Sequence, residues 1–233
     1  MLTTALENKL LAALPPQELA RLTATMTTVT FNEKDVVYRA GGLIDHVYFP
    51  RSGVLSAIVI MLDGSTAEVA AIGSEGMVGM SAFLGATHSH EEVVCQIPTA
   101  ECLRMPANEF ASEVARDGHL RQLIYRYARS ALFASARYTA CNRLHPVDQR
   151  CARWLLMSQD RVGGDEFFLT QEFLSTMLGV RRATVTVSAG KLQAARLITY
   201  RYGRVKILDR AGLEKVACEC YQVLRDTFTQ LSV

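Results

Sequence analysis

Residues 169–198 read LTQEFLSTMLGVRRATVTVSAGKLQAARLI, and their spacing decides the fold of the chain's second half. Thr170 is placed to cap a helix, with Phe173 standing where a capping box would hold Glu. Phe173, Leu174, Met177 and Leu178 form the apolar stripe of a short helix. Gly179-Val180-Arg181 follows as a turn whose glycine is free to take a left-handed backbone. A second helix is predicted from about 182 to 195, burying Val185, Ala189 and Leu192. Two short helices joined through a glycine turn make a helix-turn-helix, whose second helix can enter a major groove.

Just beyond, ITYRYGRVKI (198–207) alternates with period two around a glycine, the pattern of a β-hairpin wing. Arg181, Arg182, Lys191, Arg201, Arg204 and Lys206 are candidates to neutralise phosphates. On the recognition helix, Ala183, Val187, Gly190 and Ala194 project opposite the buried stripe. Such a face can touch thymine methyls, with Arg182 reaching a guanine edge and Thr184 or Thr186 a phosphate or base. Charge segregates accordingly. Residues 1–118 sum to −7, 119–169 to +4 and 170–210 to +6, so only the second half is suited to a polyanion.

Upstream, residues 119–142 read as one long helix without proline or glycine. Leu120, Ile124, Tyr127, Ala131, Ala134, Tyr138 and Cys141 follow a 4-3-4-3-4-3 spacing, which places them on one seam. The pattern alone fits either a helix packed on its own barrel or a parallel dimer coiled coil. Leu144-His145-Pro146 then breaks the helix at a hinge. An amphipathic helix ends near Met26. Between 28 and 104, short β-branched and aromatic runs alternate with glycines, and Asp63-Gly64 marks a hairpin. Together these segments predict an α+β chain: an antiparallel N-terminal barrel (1–118), a long helix and hinge (119–145) and a winged helix-turn-helix (146–233).

The 233 residues, 49% hydrophobic, are enough to bury a core in each of two domains. No run approaches a membrane span, and the N-terminus lacks a basic leader, so a cytoplasmic location is expected. Six cysteines include no C-x-x-C pair, and the C-x-C at 218 and 220 falls in a predicted helix, where the two side chains would diverge. They read as small core residues, with neither metal nor cofactor assigned.

The chain as a whole resembles the Crp/Fnr family of transcription regulators. AGGLIDHVYFPRSGVLSAIVI and LDGSTAEVAAIGSEGMVG resemble that family's β-roll, VDQRCARWLLM the start of its DNA-binding domain, and TQEFLSTMLGVRRATV its helix-turn-helix. The resemblance implies a cyclic-nucleotide-binding-like roll of the double-stranded β-helix type. It also implies a homodimer through residues 119–142, reading of a pseudo-palindromic operator in double-stranded DNA by Arg182 and its neighbours, and RNA polymerase as a further partner. Members that bind cyclic nucleotides carry an Arg-Ser/Thr-Ala run, but no arginine lies between Arg51 and Arg104 here, and His90-Glu91-Glu92 stands in its place. A cyclic phosphate beside carboxylates would be repelled, so the effector is expected to be something other than cyclic AMP.

Gly76, Met77, Val78, Gly79, His88, His90 and Glu91 are the candidate lining of an effector pocket for an unidentified small molecule. His88-Ser89-His90 would turn both imidazoles the same way on a strand, yet a polar loop is preferred to a metal site. A ligand-binding module acting through protein contacts and a metal-dependent barrel enzyme are the alternatives. The second fails because Val94 and Cys95 occupy the positions where a cupin-like H-x-H would be followed by Glu.

Overall fold

The structure, a computed structural model, describes residues 7–232. Two helices, α1 (Lys9–Ala12) and α2 (Pro16–Thr25), stand where one was expected. Pro15 and Pro16 supply no amide donors, so the first helix stops and Pro16 opens the next, where a missing N–H costs nothing. Asn8 is fully buried and fully used. Its oxygen caps Leu10 and Leu11, and its amide donates to the carbonyls of Pro50 and Gly76, which ties α1 to the barrel.

Seven strands follow: β1 (Thr27–Phe31), β2 (Val36–Tyr38), β3 (His46–Pro50), β4 (Val54–Ile60), β5 (Thr66–Ile72), β6 (Glu92–Ile97) and β7 (Thr99–Pro106). They pair antiparallel in two sheets, ordered β1-β7-β3 and β2-β6-β4-β5. The expected Asp63-Gly64 turn joins β4 to β5, with Gly64 at φ +81°. A short helix α3 (Met80–Phe83) crosses between β5 and β6. Phe49, Leu55, Met77, Leu103 and Met105 are buried in one core with Phe110 of the helix that follows β7, so the roll is packed with the chain's own side chains.

Helix α4 (Ala107–Ala115) leads to the long α5 (His119–Leu144), and α6 (Val147–Val162) returns after the His145-Pro146 break. Of the two readings the spacing left open for this helix, its burial matches packing against its own chain. Leu120, Ile124 and Tyr127 lie in the roll's own core, Ala134 and Cys141 in a second core, and Ala131 and Tyr138 are half-buried. Most of the predicted seam is thus covered within the chain. The opposite face, with Tyr125, Arg129, Leu132, Ala136 and Thr139 spaced 4-3-4-3, is exposed.

The second core joins α6 to the helix-turn-helix and also takes in Val54, Ile58, Val94 and Ile97 from the outer face of the roll. After β8 (Glu166–Phe168), α7 (Gln171–Leu178), α8 (Arg182–Ala194), β9 (Ile198–Arg201) and β10 (Arg204–Ile207) come α9 (Arg210–Val216) and α10 (Cys220–Thr229). The last turns return to the first core. Phe228 packs against the Tyr127 ring at 6.4 Å, and Leu231 is buried among the roll residues.

Candidate nucleic-acid interface

The helix-turn-helix forms where the spacing places it. Thr170 accepts the Phe173 amide at 3.1 Å and caps α7; its own oxygen is engaged and its side chain half-buried. Gly179 closes α7 in the left-handed region, at φ +60°. Val185, Ser188, Ala189 and Leu192 bury one side of α8, leaving Arg181, Arg182, Ala183, Thr184, Thr186, Val187, Gly190 and Ala194 exposed. This small apolar face with a basic N-terminal end is the one the sequence predicts. Thr186 is less free than expected, because its hydroxyl donates to the Gln171 side-chain oxygen at 2.9 Å.

Lys191 is also engaged. Its ammonium lies 2.6 Å from the Asp148 carboxylate, which accepts the Ser188 hydroxyl as well. The Lys191 contact, then that of Ser188, holds the Asp148 carboxyl below the usual carboxylate range, with burial opposing them.

The wing is a three-stranded antiparallel sheet, β8-β10-β9. Tyr202 and Gly203 turn it with φ values of +50° and +74°, a type I′ geometry that matches the strands' twist. Val205 and Ile207 point inward, while Arg204 pairs directly across from Arg201, with Lys206 two residues on along the same exposed face. Like charges set opposite each other are unfavourable in a free protein. Glu166 relieves Arg204 at 3.4 Å. The remaining positive charge is suited to a phosphate backbone. The Gln193 side chain accepts the Tyr200 amide at 2.9 Å and so fixes the wing to the end of α8. Tyr202, 99% exposed at the tip, and exposed Arg196 extend this surface. Sequence reading passed over both, although Tyr202 sits beside the turn glycine that marks a hairpin tip.

Comparison with known families follows the same division. Residues 28–117 match the model of a cyclic nucleotide-binding domain, and residues 149–216 match a Crp-like helix-turn-helix domain. The chain belongs to the Crp/Fnr family of transcription regulators. Among solved structures it resembles FixK2 from Bradyrhizobium japonicum, at TM-score 0.71 and 13% identity over 83% of this chain and 98% of that one. It also resembles TTHB099, a CRP-family regulator from Thermus thermophilus, at TM-score 0.68 and 19% identity over 81% and 96%. A third is the c-di-GMP-responsive regulator CLP of Xanthomonas campestris, at 0.64 and 19% over 83% and 99%. No curated protein matches the chain. No described helix is long and apolar enough to cross a membrane.

In this Crp/Fnr regulator the candidate effector residues do not converge. Met77 and Val78 are buried in the core, where Val78 bridges Tyr48. The Tyr127 hydroxyl sits 3.1 Å from both the amide and the carbonyl of Met77, and a Cβ on Gly76 would come within 2.5 Å of it. Gly79, at φ +94°, is packed as closely against the Tyr38 hydroxyl. His88 and His90 are exposed on either side of buried Ser89, whose hydroxyl donates to the carbonyl of half-buried Glu91. The turn residues thus face α5 and the core, while the two histidines face outward. Glu75, beside the turn, pairs at 2.8 Å with Arg161 of α6.

Proposed function

We propose that the chain acts as a homodimer that presents two α8 helices to a pseudo-palindromic site in double-stranded DNA. Arg181 and Arg182 stand at the entering end of the helix, with Ala183, Thr184 and Val187 against base edges and Arg201, Arg204 and Lys206 along the backbone. The observation that carries this reading is the exposed face of α8, basic at its N-terminus and continued by the charged side of the wing. The dimer contact is assigned to Tyr125, Leu132, Ala136 and Thr139 on α5. A twofold pair would set recognition helices about 34 Å apart, one turn of DNA.

The signal enters through the roll and takes a form other than a cyclic nucleotide. A region without arginine from 52 to 103 and a turn tied to Tyr127 both support this. Its effector, whether an unidentified small molecule or another signal, must favour one disposition of the winged domain over another about the hinge at 144–148. RNA polymerase is the further partner this reading includes.

Retention of genomic DNA fragments across a salt series, wild type against Arg182→Ala, tests the reading. Selective retention that Arg182→Ala abolishes supports it. Absence of binding at low salt, with and without cell extract as a source of effector, would refute it.

A further inference from the structure

Cys141, His145, Cys218 and Cys220 meet beneath the hinge, although the two pairs lie far apart in sequence. Cys141 is in the last turn of α5 and His145 is that helix's C-cap one turn on. Cys218 and Cys220 do not diverge along one helix, as their spacing predicted. A break separates α9 from α10, Cys218 lies within it and Cys220 opens α10, so both sulfurs turn toward Cys141.

The four ligand atoms all lie within 4.8 Å of one another. Cys141 Sγ is 3.5 Å from Cys218 Sγ and 3.4 Å from His145 Nδ1, which in turn is 3.6 Å from Cys220 Sγ. Tetrahedral zinc, with Zn–S near 2.3 Å and Zn–N near 2.0 Å, sets neighbouring donors about 3.5–3.8 Å apart. The three contacts above lie within about 0.3 Å of that spacing, and the remaining pairs are no more than 4.8 Å apart.

Its surroundings point the same way. His145 Nε2 lies 3.2 Å from the Glu219 carboxylate, so the proton belongs on Nε2 and the Nδ1 lone pair faces the sulfurs. A carboxylate orienting a ligand imidazole in this way is the usual outer shell of a zinc site. Arg137 holds Glu219 in turn, at 3.5 Å. Three thiolates around a dication carry one net negative charge. Arg150 and Arg153 are buried on α6 and among the described residues have no carboxylate within salt-bridge distance; Arg150 donates to the Asn142 side chain at 3.2 Å and the Leu178 carbonyl at 3.0 Å, and Arg153 lies over the Tyr138 ring at 5.0 Å. Thiols serving only as core filler would need no imidazole turned by a carboxylate.

We propose that Cys141, His145, Cys218 and Cys220 bind a structural zinc ion, with three thiolates and the imidazole Nδ1 as its four ligands. The donor set closes the coordination sphere, so the ion holds structure rather than activating water. It fastens the end of the long helix to the start of α10 across the hinge.

The full chain, purified in reductant without a metal-chelate column, is analysed for metal by plasma mass spectrometry. The expected result is about one zinc per chain, replaceable by cobalt with thiolate charge-transfer and tetrahedral ligand-field bands. Glu219→Ala, an exposed change that leaves every ligand in place, should weaken zinc binding about 10–100-fold. Cys220→Ser should lose the metal. Metal-free protein that in its reduced form takes up neither zinc nor cobalt against a chromophoric chelator would overturn the proposal. So would full zinc retention in a Cys141→Ser/Cys220→Ser variant.

Discussion

Trp154 of the winged domain donates its indole N–H to the Glu68 carboxylate of the roll, 3.2 Å away, across the junction between the two. The other Glu68 oxygen accepts the Ser56 hydroxyl at 2.7 Å. Arg161 makes a parallel tie to the Ala71 carbonyl at 3.1 Å. Glu68→Ala leaves the indole N–H unpaired in a closed interface, a loss of about 1–3 kcal/mol. In a chain of this size each kcal/mol lowers the melting temperature by about 2–4 °C. Thermal melts and limited proteolysis at the hinge read the effect. Unchanged melting with an uncut hinge would show that the tie contributes nothing.

The two faces of α5 separate stability from assembly. Leu132, 71% exposed, lies on the outward stripe, and Ile124 is fully buried. Leu132→Asp should yield a folded monomer in light scattering. Ile124→Asp places a charge in the core and should unfold the chain. A dimer that survives Leu132→Asp would move the interface off this face.

Asp148 holds the Lys191 ammonium against α6. Asp148→Asn removes the charge that holds Lys191 at 2.6 Å. The freed ammonium should add one phosphate contact, steepening the slope of log affinity against log salt by about 0.9. An unaltered slope would place Lys191 out of reach of the backbone.

Glu18 is the N-terminal cap of α5, delivered from α2. Gly118 brings no side chain, and the Glu18 oxygens accept the amides of His119 at 3.1 Å and Leu120 at 2.8 Å. Burial raises the Glu18 carboxyl, but the Leu120 and His119 amides and the His119 ring together lower it further, to below its ordinary value. A carboxyl so depressed adds stability above its unfolded pKa of about 4.3, and that stability is lost as pH falls through the lower folded value. Glu18→Ala should cost about 0.5–2 kcal/mol at neutral pH. The difference from wild type should close in acid denaturation curves.

The helix-turn-helix and wing were legible because their contacts are local. The Val185/Ala189/Leu192 stripe and the alternation of 198–207 each state which side is buried. Helix α5 stayed ambiguous in the sequence because it carries two stripes of heptad spacing. The more apolar one looked like a partner-facing seam, but the roll and α10, distant in sequence, cover it. Arg129 in the other stripe disguised it as a solvated face. The sulfur cluster was hidden for a related reason. No glycine or proline marks the break at Ala217, so C-x-C looked helical, and its partners at 141 and 145 become neighbours only once the fold closes.

Leu10 and Leu231 share one core, and Phe228 lies on Tyr127. During synthesis the roll therefore leaves the ribosome with part of its apolar interior uncovered. The helix-turn-helix waits as well, because Tyr221 and Leu224 lie in the core beneath it, so one C-terminal helix completes both cores at the end of synthesis.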